Sequence, residues 1–399
     1  MPQDKKDKNL NVPPLRFPGF TDEWRDTQLG ENATIKSGIS PRCLCNDGNV
    51  PYYKVEQLNH CEKELEETPY YGQTRSTNII PKGSIIFPKR GAAIMTNKVR
   101  INSEECILDT NLMALIPEST LYNHFLFYYI LQRELGKIAD TSTIPQINNV
   151  HINPLKIAIP AQFEEQRRIG DFLSLLDERI TTQNKIIDDL QSLIKGLNDS
   201  FHDGIQGTPI SFDQIGRSYS GLSGKSVDDF GQGSPFITYL NVYQNYIVNE
   251  KQIDLVAIDA NESQNTVSYG DVLFTLSSET PEETGIGCVY LGSSGKYYLN
   301  SFCFGVTITH RDKVYPPYLA YLVSSSKFRK FVYPLAQGST RFNLQKSDFM
   351  RKQFTLLPIE KQKEIATILD TLNNRLSVEC KLNELYKSQK DYLLRKLFI

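Results

Sequence analysis

Residues 163–180, FEEQRRIGDFLSLLDERI, and residues 359–376, IEKQKEIATILDTLNNRL, carry the same apolar pattern. Ile169 and Ile365, where the pattern starts in each copy, lie 196 residues apart in a chain of 399. The preceding passages also correspond, since STIPQIN and LKIAIP in the first half match STRFNLQ and QFTLLP in the second. An internal repeat indicates a duplicated structural unit. We therefore expect two similar but unequal halves, each a globular module followed by a long helix.

The first long helix has the spacing of a coiled-coil seam. Its apolar positions alternate in steps of four and three, broken only by Gln183. The seam comprises Ile169, Leu173, Leu176, Ile180, Ile187, Leu190, Ile194 and Leu197. This spacing places all of them on the side of the helix that faces a partner helix.

The second long helix starts in the same frame. Its first seam residues are Ile365, Leu369, Leu372 and Leu376. The seam is then predicted to slip by one residue to Val378, Leu382 and Leu385, before Leu393 and Leu397 restore it. Because an isolated helix with an exposed apolar stripe is only marginally stable, we expect the two helices to pair with each other.

Antiparallel pairing is favoured because only the short stretch GIQGTP at 204–209 resembles a linker. The two copies would then be related by a pseudo-two-fold axis, with one module at each end of the helix pair. A seam from 169 to 197 spans about 42 Å at 1.5 Å per residue, somewhat more than one turn of B-DNA, about 34 Å. The helices could therefore act as a ruler along a duplex.

The expected fold class is α+β, with two strand-rich modules joined by two long helices that form an antiparallel coiled coil. The content of 21 Tyr and 20 Phe favours strands. The predicted divisions are an N-terminal tail (1–20), module 1 (21–160), a central helix (161–202), module 2 (203–358) and a C-terminal helix (359–399).

Composition favours a cytoplasmic protein. The start MPQDKKDKNL has no apolar signal segment, and the longest apolar run, Phe125 to Leu131, is too short to span a bilayer. Seven irregularly spaced Cys suit reduced thiols. Cys43, Cys45 and Cys61, which follows His60, match zinc spacings poorly, so we expect no metal site.

The sequence has none of the catalytic signatures that we considered. Adenine methyltransferases place Asn or Asp before Pro-Pro-Tyr, whereas Tyr315 precedes Pro316-Pro317-Tyr318 here. GLSGKS at 221–226 fails as a phosphate loop because Tyr219 stands where the first Gly is required. No Pro-Asp of the kind found in nucleases is present. We therefore expect neither catalytic nor cofactor-binding residues on this chain.

Several passages resemble the specificity subunits of type I restriction-modification systems. They are LRFPGFTDEWRDTQLGE, GLSGKSVDDFGQGSPFITYLNV, GDVLFTLSS and GSTRFNLQKSDF. The order and spacing of such passages are the same in both halves of the duplicated chain. The resemblance covers nearly all of the chain beyond its first dozen residues. It implies a non-catalytic DNA-reading subunit whose modules are target recognition domains, one for each half of a split site.

The resemblance also implies partners. Members of that family bind double-stranded DNA, dock two methyltransferase subunits on the paired helices, and are joined by restriction subunits. The assembled complex would use S-adenosylmethionine for adenine methylation, and ATP and Mg for translocation and cleavage of unmodified DNA. Those cofactors would belong to the partner subunits, with no membrane involved.

A net charge of −2 does not by itself indicate a nucleic-acid partner. Phosphate contacts need only local patches, however. The candidate cations are Lys89, Arg90, Lys98 and Arg100 in module 1 and Lys225, Arg341 and Lys346 in module 2. For each of them the alternative is a solvated surface charge.

Base reading in the major groove requires donors and acceptors such as Arg, Asn, Gln and hydroxyls. The repeated passage before each helix supplies them at equivalent places. The candidates are Ser142, Thr143, Gln146 and Asn148 in the first copy, and Ser339, Thr340, Arg341, Asn343 and Gln345 in the second. The alternative is that Ser, Thr and Asn only shape the turn before the helix.

Two other functions remain open from the sequence. A tandem-module coiled-coil scaffold that binds protein rather than DNA would suit the near-neutral charge. A fused methyltransferase or nuclease is disfavoured by the missing motifs.

Overall fold

The computed structural model describes residues 11–43, 45–65, 67–203, 206–293 and 295–399. The chain forms two compact units. Unit 1 comprises residues 1–185 and 381–399, and unit 2 comprises residues 186–380. Each unit therefore contains a module together with parts of both long helices.

Unit 1 is built around a four-stranded antiparallel sheet in the order β2-β8-β5-β6. Unit 1 also has a three-stranded sheet in the order β4-β3-β7, in which β3 and β7 are parallel. The strands are β1 (Arg25–Gln28), β2 (Ala33–Ser37), β3 (Cys45–Tyr53), β4 (Tyr71–Gln73), β5 (Ile85–Pro88), β6 (Arg100–Ile101), β7 (Ile107–Leu108), β8 (Leu112–Pro117) and β9 (Lys156–Ile159). The helices are α1 (Asn123–Arg133), α2 (Leu135–Ile138), α3 (Asn149–Ile152) and the first part of α4 (Phe163–His202).

Unit 2 repeats this plan. Its four-stranded sheet has the order β11-β18-β14-β16, and its three-stranded sheet has the order β13-β12-β17 with β12 and β17 parallel. The strands are β10 (Thr208–Ile210), β11 (Gly216–Ser220), β12 (Phe230–Ile237), β13 (Ile253–Val256), β14 (Val272–Thr275), β15 (Ser277–Ser278), β16 (Gly287–Val289), β17 (Tyr298–Leu299), β18 (Cys303–Ile308), β19 (Ala336–Gln337), β20 (Phe342–Leu344) and β21 (Phe354–Leu356). The helices are α5 (Phe212–Ile215), α6 (Tyr239–Gln244), α7 (Pro316–Ser324), α8 (Ser326–Val332), α9 (Lys346–Arg351) and α10 (Ile359–Lys396), with α10 ending in unit 1.

The matching sheet orders confirm the internal repeat and the α+β class. In the central strands β5 and β14 every residue is buried, which explains their continuous apolar sequences IIFP and VLFT. The apolar run that starts at Phe125 forms α1, and residues 125–130 are all buried. A helix that is apolar on all sides belongs inside a protein core, which accounts for this run without a membrane. None of the helices in the described ranges combines the length and apolar character that a bilayer span requires.

The two long helices contribute to both cores. In unit 1, Ile169 and Leu173 of α4 pack in the same core as Leu393 and Leu397 of α10. In unit 2 the core contains Ile365, Ala366 and Leu369 of α10, and the α4 residues Ile194, Leu197 and Phe201 pack against it. Each module therefore depends on the start of one long helix and the end of the other.

Within unit 1 the two helices run antiparallel. Asp177 forms an ion pair with Lys390 at 2.5 Å, and Asn383 Nδ2 donates to Asn184 Oδ1 at 2.8 Å. Residue numbers therefore rise along α4 as they fall along α10. The predicted antiparallel pairing is confirmed in this unit.

The seam of α4 follows the predicted positions, with Ile169, Leu173 and Ile180 buried. Gln183, the polar break in the pattern, is also buried. The predicted slip in α10 is wrong. Val378 is 57% exposed and Leu385 is 66% exposed.

The inner positions of α10 continue in the original frame but become polar. Glu379 and Asn383 are buried, and the frame then passes through Tyr386 and Lys390 to Leu393. A search for apolar residues misplaced this part of the seam because buried polar side chains occupy it. Such side chains are stable inside a helix pair when they are hydrogen-bonded, as the Asn184–Asn383 contact illustrates.

An equivalent glutamine fixes the start of each long helix to its module. Gln166 Oε1 accepts a hydrogen bond from the Tyr122 N–H at 2.9 Å, and Gln362 Oε1 accepts one from the Tyr315 N–H at 2.8 Å. Glu165 has no such counterpart. It is buried and receives two hydrogen bonds from Arg16, at 2.6 and 2.8 Å, so the segment before β1 is tied to α4.

His202, at the end of α4, provides a pH test of unit 2. Its Nδ1 contacts Asn198 O at 2.7 Å, its Nε2 contacts the Tyr318 hydroxyl at 3.1 Å, and burial lowers the pKa of its imidazole. In the unfolded chain the imidazole binds a proton near pH 6.5, the ordinary pKa of histidine, whereas in the folded chain it binds one only at lower pH. The free energy of unfolding should therefore fall as the pH drops below about 6.5.

Urea unfolding of the full chain between about pH 7.5 and about pH 5.5 measures this effect. His202→Gln, which does not titrate, should reduce the loss of stability at the lower pH. A matched His60→Gln change, at an exposed histidine, should leave it as in the wild type. Equal pH dependence in His202→Gln and the wild type would contradict the prediction.

Candidate nucleic-acid interface

In unit 1 an exposed loop pairs with the chain just beyond β5. Residues 142–148, called loop 1 below, include Gln146, which forms a backbone bridge with Arg90. The Ile147 N–H donates to Lys89 O at 2.8 Å. The structure therefore places Lys89 and Arg90 directly beside loop 1. The candidate cations and the candidate base-reading loop are far apart in the sequence but adjacent in the fold.

The polar residues of loop 1 face solvent to different degrees. Ser142, Thr143 and Asn148 are exposed, and Gln146 is half-buried. The Ser142 N–H donates to Asp140 Oδ1 at 2.9 Å, and this bond lowers the pKa of the Asp140 carboxyl. Asn148 is the N-cap residue of α3. Ser142 and Asn148 therefore shape the loop, as the alternative interpretation expected, and also remain accessible.

Unit 2 has the equivalent arrangement. Residues 339–345, called loop 2 below, include β20, which pairs with β15 so that Asn343 lies opposite Ser277. The Leu344 N–H donates to Leu276 O at 2.8 Å. Gly338 turns the chain into loop 2 with a φ of +147°, and a Cβ there would meet Arg341 O at 2.0 Å. Ser339, Thr340, Arg341, Asn343 and Gln345 are all exposed.

Aromatic residues lie next to loop 2, and the sequence does not predict them as part of the interface. The Arg341 guanidinium lies over the Phe302 ring, 5.3 Å from its centroid, and Phe302 is 52% exposed. Thr340 and Arg341 line one concave surface together with Tyr239 and Tyr243. An exposed Phe in a turn has no distinct sequence signal, so only the fold identifies this neighbour.

One predicted cation needs correction. Arg100 is 5% exposed, and its guanidinium donates to Leu58 O and Val99 O, both at 2.7 Å. It therefore supports the module from inside and cannot meet a phosphate on the surface. The sequence cluster around β6 placed it with Lys98, which is half-buried, because clustering of charge does not reveal which side chain points inward.

Lys225 is held by another residue. Its Nζ donates to Glu262 Oε2 at 2.5 Å, which raises the pKa of the lysine and lowers that of Glu262 to about 2. Its ammonium therefore stays charged and is already paired with a carboxylate. Lys346 is half-buried with its Nζ 6.0 Å from the centroid of the Phe304 ring, at the end of loop 2.

Gln57 and Asn241, two further polar residues in short helices of the two modules, have structural roles. Gln57 is 7% exposed and accepts a hydrogen bond from the Lys54 N–H at 2.8 Å. Asn241 is 1% exposed and donates to Asn249 O and Gln252 O. Both side chains therefore hold local backbone structure and are not available to a ligand.

In the parts of the chain that the structure describes, no group of three or more His, Cys, Asp or Glu is arranged to hold a metal ion. Cys61 is buried and its Sγ contacts Gln57 O at 3.7 Å. The side chains of Cys43 and Cys45 lie outside the described residues.

Comparison with known sequences gives consistent results. The family model described as the type I restriction modification DNA specificity domain matches residues 21–192 and again residues 225–386. The putative type I restriction enzyme MjaX specificity subunit of Methanocaldococcus jannaschii is 21% identical over 429 residues, covering 98% of this chain and 96% of the relative. The MjaIX specificity subunit of the same organism is 25% identical over 155 residues, 37% of this chain and 32% of the relative.

Solved structures support the fold. The S subunit of a type I restriction-modification system from M. genitalium matches with a TM-score of 0.58 and 16% identity, covering 97% of this chain and 99% of that one. A chain from a study of complex assembly and conformational transition of the type I R-M system matches with a TM-score of 0.60 and 16% identity, covering 96% and 99%.

The position of Arg100 generates a stability test. Arg100→Ala leaves the buried carbonyls of Leu58 and Val99 without their donor, so the free energy of unfolding should fall by about 2 kcal/mol. Arg90→Ala, at an exposed cation beside loop 1, should change it by less than about 0.5 kcal/mol. Urea unfolding of both variants measures the difference. Equal stability of Arg100→Ala and the wild type would contradict the structural role.

Proposed function

The chain belongs to the family of type I restriction modification DNA specificity domains, and from this premise we propose that it is the DNA-reading subunit of a type I restriction-modification complex. In this proposal the predicted modules, residues 21–160 and 203–358, are target recognition domains, each of which reads one half of a bipartite site. The complex methylates DNA and takes part in defence against phage.

The observation that carries the proposal is the equivalence of loops 1 and 2. Both are exposed, both pair with the chain just beyond a central strand of the four-stranded sheet, and both precede a long helix. Their side chains nevertheless differ, for example Gln146 against Asn343. Equivalent scaffolds with different donors and acceptors are suited to reading two different base sequences.

Local charge supports contact with DNA despite the net charge of −2. Arg90 is exposed and lies next to loop 1, where its backbone pairs with Gln146. Phosphate contacts require only such local cations, since partner subunits share the electrostatic work. We exclude Arg100 from this surface because it is buried, and Lys225 because Glu262 holds it.

The long helices are proposed to set the spacer and to dock two methyltransferase subunits. Beyond the seam, both helices carry exposed apolar residues in each unit, and a subunit that docks on the helices would cover them. In unit 1 these are Phe172, Leu175, Leu385 and Tyr392, and in unit 2 they are Ile186, Leu193, Ile368 and Val378.

The chemistry is assigned to partner chains. We propose that this subunit is not catalytic and binds double-stranded DNA and methyltransferase subunits, with restriction subunits joining the complex. Those partners would bind and use S-adenosylmethionine, ATP and Mg, and this chain would bind no cofactor. Because the substrate is the host's DNA and that of invading phage, the proposed location is the cytoplasm.

Sequencing of methylated bases tests the proposal. The full chain, coexpressed with its host's methyltransferase subunit in cells that lack other adenine methylation, should produce methylated adenines in a bipartite motif. The methyltransferase expressed alone serves as the control and should not produce that motif. A continuous motif, or the same motif without this chain, would contradict two-module reading and would favour the protein-binding scaffold.

A second test addresses the spacer. One heptad inserted after Ile187, with a matching heptad after Glu379, keeps the seam frame and lengthens each helix by about 10 Å at 1.5 Å per residue. The methylated motif should keep both half-sites and gain a spacer about three base pairs longer, at roughly 3.4 Å each. An unchanged spacer in a folded, active complex would show that the helices are not the ruler.

A further inference from the structure

Residue 341 in unit 2 and residue 144 in unit 1 occupy equivalent places. Leu344 bonds through its N–H to Leu276 O, just after β14, and Ile147 bonds in the same way to Lys89 O, just after β5. Arg341 and Ile144 each lie three residues before these anchors. Both side chains are exposed, Ile144 to 55%. One of the two equivalent loops therefore presents a planar cation where the other presents an aliphatic side chain.

The support under residue 341 also differs between the units. β17 pairs in parallel with β12 in unit 2, as β7 pairs with β3 in unit 1. Phe302 lies three residues after β17 and Asn111 lies three residues after β7, so the two residues occupy equivalent places. Phe302 carries the Arg341 guanidinium on its ring at 5.3 Å from the centroid. Asn111 instead donates its side-chain amide to Asp109 Oδ1 at 2.9 Å. Only in unit 2 does this place hold an aromatic ring.

The ring has a physical effect on the arginine. A guanidinium stacked on an aromatic face gains cation–π attraction and loses part of its rotational freedom before any ligand binds. Its outer N–H groups then remain available as parallel donors. Such donors match the O6 and N7 acceptors of guanine in the major groove, whereas an aliphatic side chain matches the methyl group of thymine.

Charge around Arg341 argues against a phosphate as its ligand. Glu279 and Glu283 line the same concave surface as Arg341. The Glu283 carboxylate accepts hydrogen bonds from the Tyr243 hydroxyl at 2.6 Å and from Ser278 Oγ at 3.0 Å, and these bonds lower its pKa. The site therefore combines a cation with the Glu283 carboxylate, which these bonds keep in its charged form. Carboxylates repel the phosphate backbone, while base edges offer a neutral partner.

We propose that the Arg341–Phe302 pair gives unit 2 a requirement for guanine at one position of its half-site, and that Ile144 gives unit 1 a preference for thymine at the equivalent position. Arg341 makes the base contact and Phe302 is a positioning residue. This inference rests on the proposed function and extends it, because it assigns a base identity to one residue in each unit.

The test uses the full chain with its methyltransferase subunit and four duplexes. These duplexes differ only at the base pair where the half-site of unit 2 is proposed to require guanine. Competition binding then gives the ratio of affinities for guanine and for the other bases. Replacement of Arg341 by Ile should reduce this ratio by about 5- to 150-fold, which corresponds to the discrimination of about 1–3 kcal/mol that one bidentate contact provides. Other positions of the site should keep their ratios.

The reciprocal variant is Ile144→Arg. It should shift the equivalent position of the first half-site from thymine towards guanine and leave the second half-site unchanged. Arg351→Ile, which removes another exposed cation of unit 2 outside loop 2, is the matched control and should leave every ratio unchanged. Methylated-base sequencing of the same variants provides a second readout.

The role of Phe302 has its own variants. Phe302→Ala should weaken the preference for guanine while total affinity for the site falls much less, and Phe302→Tyr should restore the preference. A merely structural role would lower the affinity for all four duplexes equally.

Failure of this inference is distinguishable from failure of the proposed function. If the wild-type complex recognises a bipartite site but Arg341→Ile keeps the same base ratios, the inference is wrong and the proposed function stands. If the wild-type complex recognises no bipartite site, the proposed function fails and this inference fails with it.

Discussion

The rest of the structure depends on the burial of one apolar stripe along each long helix. Neither stripe is stable in water, and each module uses both helices to cover its own core. Unit 1 takes Ile169 and Leu173 from the start of α4 and Leu397 from the end of α10, while unit 2 takes Leu369 from the start of α10. A folded module therefore requires the chain on both sides of it. Leu397 and Phe398 of the second half complete the core of unit 1, so both halves of the sequence contribute to that core.

The polar centre of the seam limits how the helices pair. An apolar seam alone would permit sliding by a heptad, because each Leu is equivalent to the next. The Asn184–Asn383 hydrogen bond, at 2.8 Å, and the Asp177–Lys390 ion pair, at 2.5 Å, are satisfied in one antiparallel register only. A buried polar pair stabilises less than two leucines, but it specifies register. This explains why Asn383 occupies a position where a sequence pattern expects an apolar residue.

Much of the fold could be predicted from the sequence, since the period of apolar residues and the internal repeat are local, readable signals. The slip at Val378 and Leu385 was wrong because the prediction assumed that every seam position is apolar. At the candidate interface, the two loops could be selected because donors and acceptors recur at equivalent places. The inward direction of Arg100 could not, since a buried arginine bonded to backbone carbonyls has the same sequence appearance as a surface cation. The ring of Phe302 under Arg341 depends on long-range pairing and has no sequence signal.

In this interpretation of the structure, equivalent loops on equivalent scaffolds read different bases. The most direct measurement is the methylated motif of a full chain in which residues 142–148 are replaced by the sequence of residues 339–345, expressed with its methyltransferase subunit. We predict that the first half-site changes towards the second while the second half-site and the spacer remain as in the wild type. A motif identical to that of the wild type, from a complex that still methylates DNA, would contradict the claim.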